Sequence, residues 1–282
     1  MASNEEILDL TDLVSRESLT ATELLNCYDL ESGFLNRAND SVDKASNRLN
    51  RSGLKICAPV PRPGKIICIG LNYRDHAAES GMAIPSSPVI FSKFSTCAIG
   101  PSEPIRIPNG STQTDYEAEL AFVIGRSASD VRTEDALNYV LGYTNFNDVS
   151  ARDFQFADGQ WQRGKSCDTF APMGEFIATR DEIPDPQNRS IKFRLNSETL
   201  QDSNTNQMIF GVAELVEFLS RYIILEPGDV VATGTPPGVG FARKPPMYLK
   251  EGDVAEVEIE GLGVLSNPVV AAAAGRHPAA IA

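Results

Sequence analysis

Histidine is almost missing from this 282-residue chain: there are two, His76 and His277. A zinc centre built from several imidazoles is therefore excluded. Cysteine is sparse as well, five residues with no CxxC spacing among them. The odd count and the spacing argue against a disulfide framework or a zinc ribbon and read as reduced thiols. No run of about 18 apolar residues occurs, so no membrane span is expected. The first residues are acid-rich and carry no leader-like apolar stretch, so a cytoplasmic location is expected. Basic charge is in short supply: 25 Lys and Arg stand against 38 Asp and Glu, for a net charge of −13. Such a surface repels phosphate backbones and anionic lipid, so neither nucleic acid nor a membrane is an expected partner. It also opposes an anionic substrate, which would need local positive charge from a metal, a lysine or an arginine. Finally, no G-x-S-x-G elbow is present.

What is there is ordinary globular composition, 42% hydrophobic and 22% charged, enough to bury a sizeable core. Residues 1–57 form a small polar N-terminal region, with a capping box at Thr20-Ala21-Thr22-Glu23 opening a short helix. The Pro- and Gly-rich segment Pro59 to Gly64 marks a boundary. Residues 58–269 form the main domain, and residues 270–282 read as a loose tail. Within the main domain, apolar runs predict strands at Lys65–Leu71, Val89–Phe91, Tyr116–Ile124, Gly142–Phe146, Asp229–Ala232, Val254–Ile259 and Val264–Leu265. Helical turns are expected at Asp75–Ser80, near Thr133, and at Val212–Tyr222, where Leu215, Phe218 and Leu219 share one face. Strands outnumber helices without strict alternation, which predicts an α+β fold with a large mixed sheet or β-roll.

The chemistry concentrates in acids. In Tyr116-Glu117-Ala118-Glu119-Leu120, strand periodicity puts Glu117 and Glu119 on one face. Two carboxylates this close repel unless a positive charge sits between them, and oxygen donors suit Mg²⁺ or Mn²⁺. A solvated acidic face is the simpler alternative. Asp148, at the end of the run Gly142 to Asp148, offers a third carboxylate, which would complete one face of a six-coordinate ion. A 2-oxo acid could then fill two of the remaining positions. Gly159 to Ser166 matches G-x-x-x-x-G-K-[ST] letter for letter. It lacks the preceding buried strand, and Pro172 and Gly174 argue against a following helix, so a phosphate-binding loop is rejected. Lys165 nonetheless supplies a cation close in sequence to the acids. His76 is the one histidine outside the tail, and Glu79, three residues on along a helical turn, can orient it.

Taken in order, Asn72-Tyr73…His76…Glu79, Tyr116 to Leu120, Asn147-Asp148-Val149-Ser150-Ala151-Arg152-Asp153, Gly164-Lys165-Ser166 and Thr233 to Gly240 resemble the fumarylacetoacetate hydrolase superfamily over roughly residues 58–266. The resemblance implies a mixed β-sandwich roll of that family's C-terminal-domain type with short peripheral helices, usually a homodimer. It implies Mg²⁺ or Mn²⁺ on Glu117, Glu119 and Asp148. It implies that Lys165 meets developing negative charge, that Gln155 and Thr235, with Arg152 beside them, line the substrate pocket, and that His76 and Glu79 lie on a short lid helix and activate water. Two departures stand out. Asn196-Ser197-Glu198 replaces the frequent Asn-Gly-Glu, and Phe91-Ser92-Lys93-Phe94 replaces a Lys-Pro sequence, as in a subgroup of mixed chemistry that includes domain-containing-protein-2 members and diketo sugar-acid hydrolases.

The leading expectation is hydrolysis of a carbon–carbon bond in a 2,4-dioxo acid such as an acylpyruvate. His76 activates water, and the metal and Lys165 stabilise the enolate that leaves. The alternatives are decarboxylation or tautomerisation of oxaloacetate, or isomerisation of a 2-hydroxy-dienoate, on the same residues. A non-catalytic metal-binding relative is the alternative of a different class.

Overall fold

The computed structural model describes residues 6–9, 27–42, 48–79 and 81–271. Two larger sheets organise it. Their strands, in chain order, are β1 (Ile66–Gly70), β2 (Val89–Lys93), β3 (Ile105–Ile107), β4 (Ala118–Ile124), β5 (Val140–Asn147), β6 (Ala178–Thr179), β7 (Ser190–Leu195), β8 (Glu198–Asn204), β9 (Val230–Ala232), β10 (Val254–Ile259) and β11 (Gly263–Ala271). The six-stranded sheet runs β6-β5-β4-β9-β1-β2 and the five-stranded sheet runs β8-β7-β10-β11-β3. Both are mixed: β1 pairs parallel with β9 and β11 parallel with β3, while the other neighbours are antiparallel. This is the α+β sandwich that the strand-rich sequence predicts.

The two sheets read differently in sequence because they are buried differently. Every residue of β4 and β5 is buried, which fits a run such as Ala121-Phe122-Val123-Ile124 with no polar alternation. In β7 and β10 alternate residues point inward: Ile191, Phe193 and Leu195, then Ala255, Val257 and Ile259. Their partners Lys192, Arg194, Glu256 and Glu258 face outward, the period of two expected of a sheet with one wet side. The inner faces meet at Tyr116 and Phe193, whose rings stack at 4.0 Å. The helix Val212–Ser220 buries Val212, Leu215, Val216 and Leu219 against the core.

Several expectations shift in detail. The strand expected from Tyr116 starts at Ala118, so Glu117 stands just before it. The helix expected near Thr133 is only a 3₁₀ turn, Ala136–Tyr139. Strands β7 and β8 were not anticipated, because Lys192, Arg194 and Asp202 dilute their apolar signal. The expected tail starts too early: Val270 and Ala271 extend β11 and pair with Arg106 and Ile107. The capping box at Thr20–Glu23 lies outside the described residues.

The departure at Asn196-Ser197 has a local consequence. Leu195 pairs with Glu198, so Asn196 and Ser197 form a two-residue hairpin turn with φ of 51° and 72°. Such a turn requires left-handed backbone at both positions, where Asn-Gly is favoured. Ser197 pays a steric cost there that glycine avoids. Ser197→Gly is therefore expected to stabilise the fold by about 0.5–1 kcal/mol, the left-handed cost less the added freedom of the unfolded chain. Urea unfolding of both proteins checks this, and a destabilised variant would refute it.

Candidate active site

The acidic cluster is assembled by strand pairing. Ala118 in β4 lies opposite Asn147 in β5, and the amide of Asp148 donates to the carbonyl of Glu117 at 2.9 Å. The antiparallel register thus sets Asp148 beside Glu117, while Glu119 reaches the same spot from within β4. One carboxylate oxygen from each of Glu117, Glu119 and Asp148 lies within 4.8 Å of the other two. Their exposures are 7%, 1% and 0%, which excludes the solvated acidic face.

Three buried carboxylates need compensation. Lys165, closing the helix Gln162–Lys165, places Nζ 2.8 Å from Glu117 Oε2 and 2.6 Å from Asp148 Oδ2. Lys93, the last residue of β2, donates to Asp148 Oδ1 at 2.5 Å and to the carbonyl of Val149 at 2.9 Å. Arg152 donates from Nη2 to Glu117 Oε1 at 2.5 Å, from Nε to Asp115 Oδ2 at 2.9 Å, and from Nη1 to Gln155 Oε1 at 3.0 Å. No lysine or arginine pairs with Glu119 among the described residues. Its Oε2 accepts from the amide of Gly234 at 2.8 Å. Gly234 holds φ at 97°, and a Cβ there would sit 2.8 Å from Asn72 Cβ, so this donor requires glycine.

The electrostatics follow. Burial raises the Glu119 carboxyl well above its ordinary range, and the neighbouring Asp148 and Glu117 push it further. Burial would raise Glu117 too, but Arg152 and Lys165 outweigh it and hold that carboxyl well below the usual range. For Lys165, burial opposes the charge, yet Asp148 and Glu117 prevail and raise its pKa, so it stays an ammonium. The three acids form an all-oxygen donor set, and among the described residues Glu119 makes no ion pair with a lysine or arginine. The residues therefore fit a hard divalent ion.

The cluster opens into a cavity of about 580 Å³. Glu117, Glu119, Arg152, Gln155, Lys165 and Thr235 line its polar end, and the rings of Phe91, Phe156, Trp161 and Phe241 line much of the rest. A depression of about 700 Å³ along β2 contains none of the acids, although Lys93 lines it and it shares Phe91 and Trp161 with the cavity. His76 and Glu79 line the cavity from the helix Arg74–Glu79. His76 is buried rather than a surface residue, and its Nδ1 lies 3.3 Å from Glu79 Oε2. Glu79 also accepts from the amide of Gly238 at 3.1 and 3.2 Å. Ser203 anchors the helix by donating to Asp75 Oδ2 at 2.5 Å. Thr235 lines the cavity, but its hydroxyl is engaged, accepting from Gln201 at 2.9 Å and donating to the carbonyl of Ala118 at 3.0 Å.

Residues 65–270 match the family described as fumarylacetoacetate (FAA) hydrolase, C-terminal. The chain belongs to the fumarylacetoacetate hydrolase family. Among family relatives, oxaloacetate tautomerase fahd2, mitochondrial, of Xenopus laevis is 48% identical over 260 residues, covering 87% of this chain and 82% of its own. The solved structure of 5-carboxymethyl-2-hydroxymuconate delta-isomerase from Mycobacterium smegmatis is 40% identical with a TM-score of 0.73, covering 82% of this chain and 87% of its own. Fumarylacetoacetate hydrolase from Exiguobacterium antarcticum is 39% identical with a TM-score of 0.80, covering 94% and 92%. Among the described residues no helix is long and apolar enough to cross a membrane. The frog relative is mitochondrial by name, a compartment other than the cytoplasm expected from the sequence.

Two charged groups of this family member escaped the sequence reading. Lys93 was visible only as a motif variation, although a lysine closing the apolar strand Val89-Ile90-Phe91-Ser92 signals a buried partner. Asp115 stands two residues before Glu117 and accepts from the amides of Gly240 and Phe241 at 2.7 and 3.0 Å as well as from Arg152. It ties the cation to the loop that roofs the cavity. Arg152→Met would leave Asp115 and Glu117 buried with one cation fewer. The expected loss is about 3–5 kcal/mol of stability, the usual cost of breaking a buried ion pair from one side. Chemical denaturation measures it, and a loss below about 1 kcal/mol would show these charges to be solvated.

Proposed function

We propose that this chain is an Mg²⁺- or Mn²⁺-dependent tautomerase that interconverts the enol and keto forms of oxaloacetate. The observation that carries the reading is the convergence of Glu117, Glu119 and Asp148 with the ammonium of Lys165, at a point where both glutamates and the lysine line one cavity. The frog relative, an oxaloacetate tautomerase by name, and the mycobacterial neighbour, an isomerase by name, support this reaction class over carbon–carbon hydrolysis.

A divalent ion held by Glu117, Glu119 and Asp148 would supply Lewis-acid polarisation of the substrate's 2-oxo group. Lys165, kept charged by its two carboxylates, meets the negative charge that develops on the C2 oxygen. It is a poor base for the same reason. His76 is the proton carrier. With Glu79 accepting from Nδ1, Nε2 is free to take the proton from the C2 hydroxyl of the enol and deliver it to C3. One proton leaves oxygen, one arrives at carbon, and the imidazole ends as it began. Arg152 has every nitrogen engaged, so its role is to hold Glu117 rather than to grip substrate. Gln155 and Thr235 shape the pocket beside it.

Hydrolysis of a 2,4-dioxo acid is the second reading, because the His76–Glu79 pair could equally activate water. A single comparison separates the two. Enol-oxaloacetate and an acylpyruvate are supplied with Mg²⁺ or Mn²⁺, and enol absorbance and pyruvate formation are followed. Tautomerisation predicts rapid, cation-dependent loss of the oxaloacetate enol and little cleavage of the acylpyruvate. The reverse pattern supports the hydrolase, and inactivity on both supports a non-catalytic relative.

A further inference from the structure

The charges at and behind the polar end of the cavity constrain what it can hold. Glu117, Glu119, Arg152 and Lys165 line it, and Asp115, Asp148 and Lys93 are buried behind them, so the cluster has four carboxylates and three cations. With a divalent ion added and all four acids ionised, the cluster carries one net positive charge, the complement of one carboxylate. A dicarboxylic 2-oxo acid brings a second. Against the rings of Phe156, Trp161 and Phe241, an unpaired second carboxylate would lose hydration without return.

Lys244 meets that need. It lines the same cavity, it is exposed, and among the described residues it makes no ion pair or hydrogen bond. The other lining cations, Arg152 and Lys165, are both bound to carboxylates. Lys244 is also held in place. The amide of Met247 donates to the carbonyl of Gly240 at 3.0 Å, closing the loop 240–247, and Asp115 pins that loop through the amides of Gly240 and Phe241. Glu79 shares the rim, but its carboxylate faces His76 and the amide of Gly238 and lies beyond ion-pair distance of Lys244.

We infer that Lys244 determines specificity by pairing with the distal carboxylate of a dicarboxylic 2-oxo acid whose 2-oxo end lies on the acidic cluster. The inference rests on the tautomerase reading and adds the basis of its selection for a C4 diacid. Oxaloacetate and 2-oxobutanoate form the test pair, since the second carries a methyl group where the first carries its distal carboxylate. Binding of each to the full chain with saturating Mg²⁺ is measured by titration calorimetry and by the fluorescence of Trp161, the chain's single tryptophan and part of the cavity wall. Wild type should prefer oxaloacetate by about 10-fold or more, the weight of a charge-assisted contact. Lys244→Met should reduce the preference to within about 3-fold, and Lys244→Arg should restore most of it. A full preference retained in Lys244→Met overturns the inference, as does a wild type that binds both ligands equally; both leave the tautomerase reading intact. A wild type that binds neither ligand overturns that reading and this inference together.

Discussion

Lys165→Met is expected to slow oxaloacetate tautomerisation by about 10²–10³-fold, the weight of one preorganised group at a developing oxyanion. The same change should leave Mn²⁺ binding intact or tighter. Nζ lies 2.8 and 2.6 Å from oxygens of Glu117 and Asp148, so under the proposed mechanism the ammonium opposes the incoming ion while stabilising the reaction's negative charge. Removing it separates the two effects. Methionine also leaves two buried carboxylates short of a cation, so the metal-free variant should unfold more easily. Because binding to the folded state alone stabilises it, added Mn²⁺ should raise the melting temperature of the variant more than that of wild type. Calorimetric titration with Mn²⁺, thermal melts and initial rates measure all three. Unchanged turnover would show that Lys165 only balances charge in the core.

His76→Ala is expected to cost about 10² in the rate of enol-to-keto conversion, the usual contribution of a positioned proton carrier. Among the described residues His76 is the one histidine, so no second imidazole stands ready to replace it. Glu79→Gln should lower the rate in the same direction by a smaller factor, since Glu79 acts through the ring it orients at 3.3 Å. Both variants are assayed on enol-oxaloacetate and on an acylpyruvate. If His76→Ala slowed only acylpyruvate cleavage and left oxaloacetate untouched, the imidazole would be a water activator and the hydrolase reading would take over.

How far these groups can be found without coordinates depends on how far apart they lie in sequence. Glu117 and Glu119 are two residues apart, and His76 and Glu79 three, so strand and helix periodicity alone suggest that each pair converges. The fold class is legible for a similar reason: β1, β4 and β10 announce their burial through apolar run or alternation, residue by residue. Composition speaks still more simply: two histidines are too few for a zinc centre built from several imidazoles.

The tertiary structure decided the rest. Asp148 joins the glutamates through a strand register, and its lysine Lys93 is 55 residues away in sequence. Arg152 reaches Asp115 across 37 residues, and Lys165 reaches Glu117 across 48. No local pattern encodes such meetings. They are consequences of which strands pair and how deeply the pairing buries them. Burial is also what makes them matter: the same acids and bases on a wet surface would be screened and nearly indifferent to one another. Once buried, the cations pair with Asp115, Glu117 and Asp148, while among the described residues no lysine or arginine pairs with Glu119.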